Sequence, residues 1–212
     1  MNGENEQREL TKRQFNIAIG IILLWGFSVN AIMCIFLADV FQAWDRTLVP
    51  YGYGLMAVIG IRLSYSLNKP LLCFIGYNLV ILPMGTVLCI AVEGISAATI
   101  LRVCIITISL TVLMLVIAVI NPEVFDSMEM IIFVSLAGAF VIEAVMSYFK
   151  MTLPRWWDWV VILPFCGYIG YDWSNAQKYT RTLDGAIGCG TGLYLWIVNL
   201  FLRLLGRLKR QY

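Results

Sequence analysis

The sequence predicts an all-α protein, a polytopic membrane helix bundle with seven transmembrane helices, and three observations carry that prediction. Of its 212 residues 60% are hydrophobic and only 13% charged, against about 25% charged in a soluble domain. Mean hydropathy is +0.82, more apolar surface than a soluble core of this length can hide. The apolar residues also come in long runs, and a bilayer core of roughly 30 Å takes about 20 residues of helix per crossing. The chain therefore has length for some seven crossings and no separate soluble domain.

Taken in order, Met1 to Arg13 is polar and precedes a long apolar run with no small-residue cleavage site. Residues 1–14 read as a polar tail ahead of a retained signal anchor. Hydropathy and Pro, Gly and charge punctuation then place spans at 15–41, 48–66, 71–92, 96–120, 128–149, 155–173 and 185–206. Residues 15–206 form the transmembrane domain and 207–212 a basic C-terminal tail. Aromatic residues gather where crossings end: Trp44 and Tyr51 follow the first span, and Trp156, Trp157 and Trp159 open the sixth. Leu67-Asn68-Lys69-Pro70 and Asn121-Pro122-Glu123 are short connectors, so sequential helices pack as antiparallel neighbours. Pro83 and Pro164 lie inside the third and sixth spans, where each bends a helix and frees a carbonyl.

With the N-terminus inside, Arg8, Lys12, Arg13, Lys69, Lys178 and Arg181 face the cytoplasm, against Arg46, Lys150 and Arg155 outside. That favours a cytoplasmic N-terminus. Seven crossings would leave Arg203, Arg207, Lys209 and Arg210 outside, against the positive-inside tendency, and six crossings with a re-entrant last segment would remove the conflict.

Several function classes drop out. A net charge of +2, with charges mostly in loops and at the ends, is no nucleic-acid footprint. There is no histidine, which removes the imidazole base, the Ser/His and Cys/His nucleophile pairs and the commonest zinc ligand. Cys34, Cys73, Cys89, Cys104, Cys166 and Cys189 all fall in apolar stretches without a CxxC pair and read as buried thiols. The chain is expected not to be an enzyme and to carry no cofactor.

An ionised side chain at mid-bilayer costs roughly 2.5–3.5 kcal/mol on insertion scales, so intramembrane charges point to function. Arg62, Arg102, Glu143 and Asp172 are the informative ones; Asp39, Glu129, Arg155 and Arg203 sit near enough to span ends to reach headgroups or water. Asp172 closes the sixth span within Gly167-Tyr168-Ile169-Gly170-Tyr171-Asp172 and needs a cation. Arg62 is the better candidate, because the ends of spans two and six share a membrane face. In the seventh span Gly185, Gly188 and Gly192 form a small-residue packing face. Trp196 and Asn199, three residues apart, project from nearby parts of one face. A packing helix explains the glycines as well as a pore does, but does not require Asn199.

These last fifty or so residues resemble the signature of the Bax inhibitor family, the transmembrane Bax inhibitor motif proteins. The resemblance rests on Gly167-Tyr168-Ile169-Gly170-Tyr171-Asp172, a polar loop with Lys178, and Leu193-Tyr194-Leu195-Trp196-Ile197-Val198-Asn199-Leu200-Phe201-Leu202. Tyr77 and Gly85 fit the family loosely. The resemblance implies a seven-helix fold with the last helix near the centre and a pH-sensitive calcium leak. It also implies that an aspartate of helix six and one of helix seven share a proton, with an arginine of helix two latching the first. Asp172 matches the first aspartate and Arg62 the arginine; the second aspartate is replaced by Trp196, so the chain looks like a divergent member. Calcium prefers six to eight oxygen ligands, so Asp172 alone would bind it weakly.

The expected function is a leak channel for calcium, the transported ion, or a regulator of cation homeostasis, with Asp172, Arg62, Trp196 and Asn199 along the ion pathway. The alternative is a non-conducting membrane scaffold or regulator that has lost the proton-sharing pair. An intramembrane aspartyl protease needs two carboxylates sharing acid and base roles. Asp184, the only later carboxylate, falls in the loop before span seven, and no Gly-x-Gly-Asp sequence is present. The partners implied are the lipid bilayer, calcium and protons, with no protein partner indicated; minimal loops point to a bacterial cytoplasmic membrane.

Overall fold

A computed structural model describes residues 9–42, 49–66, 69–154, 156–178 and 181–209. The expectations for Trp44, Arg46 and Arg155, and for the two terminal tails beyond these limits, lie outside the described residues. Every regular element among them is helical: α1 (Lys12–Phe36), α2 (Ala38–Gln42), α3 (Val49–Ser64), α4 (Pro70–Ala91), α5 (Ala97–Ile120), α6 (Pro122–Tyr148), α7 (Trp157–Ala176) and α8 (Leu183–Lys209). Seven of these stand where the seven spans were placed, and α2 is the end of the first span, broken off at Leu37. The sixth and seventh spans are thus α7 and α8.

The helix ends follow local chemistry. Thr11 and Gln14 close a capping box at the start of α1, and Ser96 caps α5 through the Thr99 amide. Pro70 and Pro122 begin α4 and α6 at the position where a missing N–H costs nothing. This carries α6 six residues further toward its N-terminus than the apolar run suggested, with Glu123 in its positive first turn. α8 likewise runs on to Lys209, so half of the expected basic tail is helix, with Arg207 and Lys209 in the last turn where cations are favoured. Asp184 is also corrected: it lies in the first turn of α8, buried, rather than in a loop.

Among the described residues five helices are long and apolar enough to cross a membrane: Lys12–Phe36, Pro70–Ala91, Ala97–Ile120, Ser127–Tyr148 and Leu183–Lys209. The stretch Gly52–Ser64 is apolar but shorter. Only 17% of the most apolar window of α5 or α6 is buried, against 61% for α8. Large apolar side chains such as Ile108, Val119, Met130 and Phe133 are exposed, a surface that lipid and not water would cover. The chain is an integral, multi-pass membrane protein.

By its contacts the chain forms two compact units, Met1–Glu93 with Ala176–Tyr194, and Gly94–Asn175 with Leu195–Tyr212. In the first unit α1 buries one helical face, Phe15, Ile19, Ile22, Gly26, Asn30 and Met33. Trp25 Nε1 donates to Asn78 Oδ1 at 3.3 Å and Tyr77 donates to the Ile22 carbonyl at 2.8 Å, while Cys34 Sγ and Cys89 Sγ are 3.0 Å apart. Rising numbers on α1 meet rising numbers on α4, so the two helices run parallel. α3 and α4 run antiparallel and touch backbone to backbone: a Cβ on Gly76 would stand 2.5 Å from the Ser64 nitrogen and 2.7 Å from the Gly60 oxygen. The start of α8 packs here through Gly188 against Tyr65 and Gly190 against Ile22.

In the second unit α6 and α7 are antiparallel. Ile132 fills the space beside Gly167, where a Cβ would lie 2.9 Å from its Cδ1, and Phe125 fills that beside Gly170. Pro83 and Pro164 are both buried inside continuous helices. Of the six cysteines four are buried, while Cys34 and Cys104 are half-buried, and all are free thiols.

Candidate functional site

On α7 the glycines and the polar residues divide the helix surface between them. Gly167 and Gly170 turn toward α6, and Tyr168 and Asp172, one turn apart, turn toward the second half of α8. There Trp196 donates its indole N–H to Asp172 Oδ2 at 2.6 Å. The indole stacks on Tyr168, with ring centroids 4.2 Å apart and planes 12° from parallel, and Phe165 tilts against it at 6.2 Å. Phe165, Tyr168 and Asp172 follow an i, i+3, i+7 stripe, so one face of α7 holds both the ring and the N–H. The residue that stands in place of the expected second aspartate is therefore a hydrogen-bond donor to Asp172.

Two turns further along α8 lies a second polar cluster. Arg203 grips Glu143 of α6 with both terminal nitrogens, at 2.6 and 2.9 Å, and lies 3.8 Å from Asp158 at the start of α7. Trp157 Nε1 donates to the same Glu143 at 2.9 Å, and the Arg207 guanidinium stands 4.4 Å over the Trp159 ring. Asp158 is 3% exposed, and a fork-to-fork arginine contact is the strong form of charge compensation. Glu143 was singled out from sequence without a partner, and its partner had been assigned to the headgroups. The signal was available: Arg203 is seven residues after Trp196 and four after Asn199, on the same helix face. Asp158 carried no such signal, being one charge among interface tryptophans.

Between the two clusters is a cavity of about 260 Å³ lined by Phe140, Phe165, Asn199, Leu202, Arg203 and Gly206. It has room for several waters, each occupying about 30 Å³ in the liquid. Asn199 turns its amide N–H back to the Leu195 carbonyl at 2.8 Å, so it lines the cavity without bonding Trp196. One face of α8 thus carries indole, amide and guanidinium over about 10 Å of helix.

Arg62 belongs to the first unit, in the last turn of α3, and is exposed; the donor that reaches Asp172 inside the second unit is Trp196. Arg102 is exposed little more than a turn into α5, positioned to extend toward an interface. Gly188 and Gly192 are buried and Gly185 is exposed, and on α8 Gly188 and Gly190 closely approach Tyr65 and Ile22. Among the described residues no three Cys, Asp or Glu side chains gather in a metal-binding group.

Fold and site together define a multi-pass α-helical membrane protein with a carboxylate held between its last two helices. A family model described as Inhibitor of apoptosis-promoting Bax1 matches residues 9–211, almost the whole chain. The chain belongs to the Bax inhibitor family. No significant match was found among curated proteins or solved structures.

Proposed function

We propose that this chain is a divergent Bax-inhibitor-like regulator of cation passage, chiefly of calcium, with the Asp172–Trp196 contact as its gate. The proposal takes residues 15–206 as one domain of seven crossings with α8 central, in a bacterial cytoplasmic membrane, carrying out no catalysis. The burial of α8 and the parallel course of α1 and α4 support that topology. The observation that carries the functional reading is the 2.6 Å bond from Trp196 to Asp172. Where two carboxylates share a proton, the contact is lost when the proton leaves. An indole N–H does not titrate in the physiological range, so Trp196 keeps the donor in place at every pH. Calcium passage is accordingly low, and Asp172, Asn199 and the cavity mark the path that opens when the indole is removed. Arg62 enters as the latch that the family resemblance implies.

The second reading, a non-conducting scaffold or regulator, draws on the stacking of Trp196 against Tyr168 at 4.2 Å, which fills the same path with rings. Reconstitution in vesicles loaded with a calcium dye separates the two. Under the gate reading Trp196→Asp gains a calcium flux that changes with pH, and adding Asp172→Asn to it abolishes the pH response. Absence of flux in every variant, with the fold intact by circular dichroism, leaves the scaffold. If Arg62→Ala does not alter the flux of the Trp196→Asp protein, the latch is removed from the proposal.

A further inference from the structure

The first unit contains a pair of thiols that the proposed gate does not use. Cys34 Sγ on α1 and Cys89 Sγ on α4 are 3.0 Å apart, about 1 Å more than a disulfide bond length. The parallel course of the two helices brings the pair together. Met33, beside Cys34 in the chain, packs on Gly85, where a Cβ would stand 2.5 Å from its Sδ, and Gly85 is one turn before Cys89. The missing side chain at Gly85 lets α1 come close at this level. Each cysteine also lies two residues before the end of its helix, at Phe36 and Ala91. Parallel helices place those ends at the same side of the unit. Cys34 is half-buried and Cys89 fully buried, so a membrane-permeant oxidant such as hydrogen peroxide meets Cys34 first and Cys89 sits against it, sheltered.

We propose that Cys34 and Cys89 form a reversible disulfide that ties α1 to α4. With a peroxide as oxidant, the Cys34 sulfur attacks the O–O bond, giving a sulfenic acid and releasing water. The Cys89 sulfur then attacks the Cys34 sulfur, the S–S bond forms, and the hydroxyl leaves as a second water. Two thiols and one hydrogen peroxide thus give one disulfide and two waters, and a dithiol reductant reverses the change. Among the described residues no third Cys, Asp or Glu joins the pair in a metal-binding group, which favours the cross-link over a metal site.

The test uses the full-length protein in lipid vesicles, treated with hydrogen peroxide, then denatured, alkylated and analysed by mass spectrometry without reduction. The expected result is the loss of two alkylatable thiols out of six, recovery of both with dithiothreitol, and a linked peptide containing Cys34 and Cys89. Cys34→Ser and Cys89→Ser each abolish the link. Oxidised wild type melts several degrees higher than reduced wild type, a shift absent from both variants. Methionine oxidation in the same sample reports that peroxide reached the protein. Six alkylated cysteines alongside oxidised methionine overturn the proposal, as does a linked peptide joining any other pair.

Discussion

From Leu183 to Tyr194 the last helix offers its neighbours glycines and hydroxyls, whereas from Leu195 to Lys209 it offers an indole, an amide and guanidinium groups. The first stretch, in the first unit, packs Gly188 and Gly190 against Tyr65 and Ile22, and Tyr194 accepts a hydrogen bond from Asn30. The second, in the other unit, holds Asp172 through Trp196 and Glu143 through Arg203. One helix therefore meets two different physical limits. In the glycine half the constraint is shape, since a single methyl has nowhere to go. In the polar half it is compensation, since each charge taken from water has to meet an opposite charge or a donor.

The comparison breaks most sharply at Arg203. Replacing it by Leu takes the guanidinium away from the Glu143 and Asp158 carboxylates. With Arg203 and Glu143 side chains 21% and 22% exposed, the loss falls somewhat under the range for fully buried pairs, at about 2–4 kcal/mol. The thermal midpoint of the detergent-solubilised protein measures it; a loss under about 1 kcal/mol would make the contact an ordinary surface pair. Gly190→Ala tests the other half: its Cβ would stand 2.6 Å from Ile22 Cγ2, an overpacking cost of about 1–3 kcal/mol. Gly20→Ala, with nothing within 4 Å, is the control and should be neutral or stabilising by up to about 1 kcal/mol. Trp196→Phe keeps a ring for Tyr168 but removes the N–H from a charged acceptor, costing about 1–2 kcal/mol in the same assay. The smallest effect is expected of Tyr194→Phe, about 0.6 kcal/mol, the average for a neutral interhelical hydrogen bond in a membrane. Were Tyr194→Phe to cost more than Trp196→Phe, the division between a shape-limited and a charge-limited half would fail.

How far the chain could be read in advance follows the same division. Hydropathy and Pro/Gly punctuation are one-dimensional signals, and they located the helices because each long helix is largely one apolar run. They missed the break at Leu37, which leaves the apolar run uninterrupted. The meeting of Asp172 and Trp196 was legible only through the spacing shared with a family, which put the indole in place of an aspartate without showing what it bonds. That it donates depends on the ring orientation fixed by Tyr168 and Phe165. Arg203 was set aside because nearness to a span end looks the same in sequence for a solvated charge and for one clasped by a carboxylate on another helix. Depth along one helix does not reveal which neighbour stands at that depth.

Among the described residues α3 is the shortest of the seven longer helices, 16 residues, or about 24 Å end to end. Under the proposed topology it must still return the chain across a hydrocarbon layer of roughly 30 Å. Its Gly60 contact with Gly76 sets it against α4, and where the lipid yields to the mismatch the leaflets beside α3 should pinch inward by several ångströms. Such a dent costs fractions of a kcal/mol per ångström, so short-chain lipids should collect beside α3, and the protein should favour a thin bilayer over a thick one.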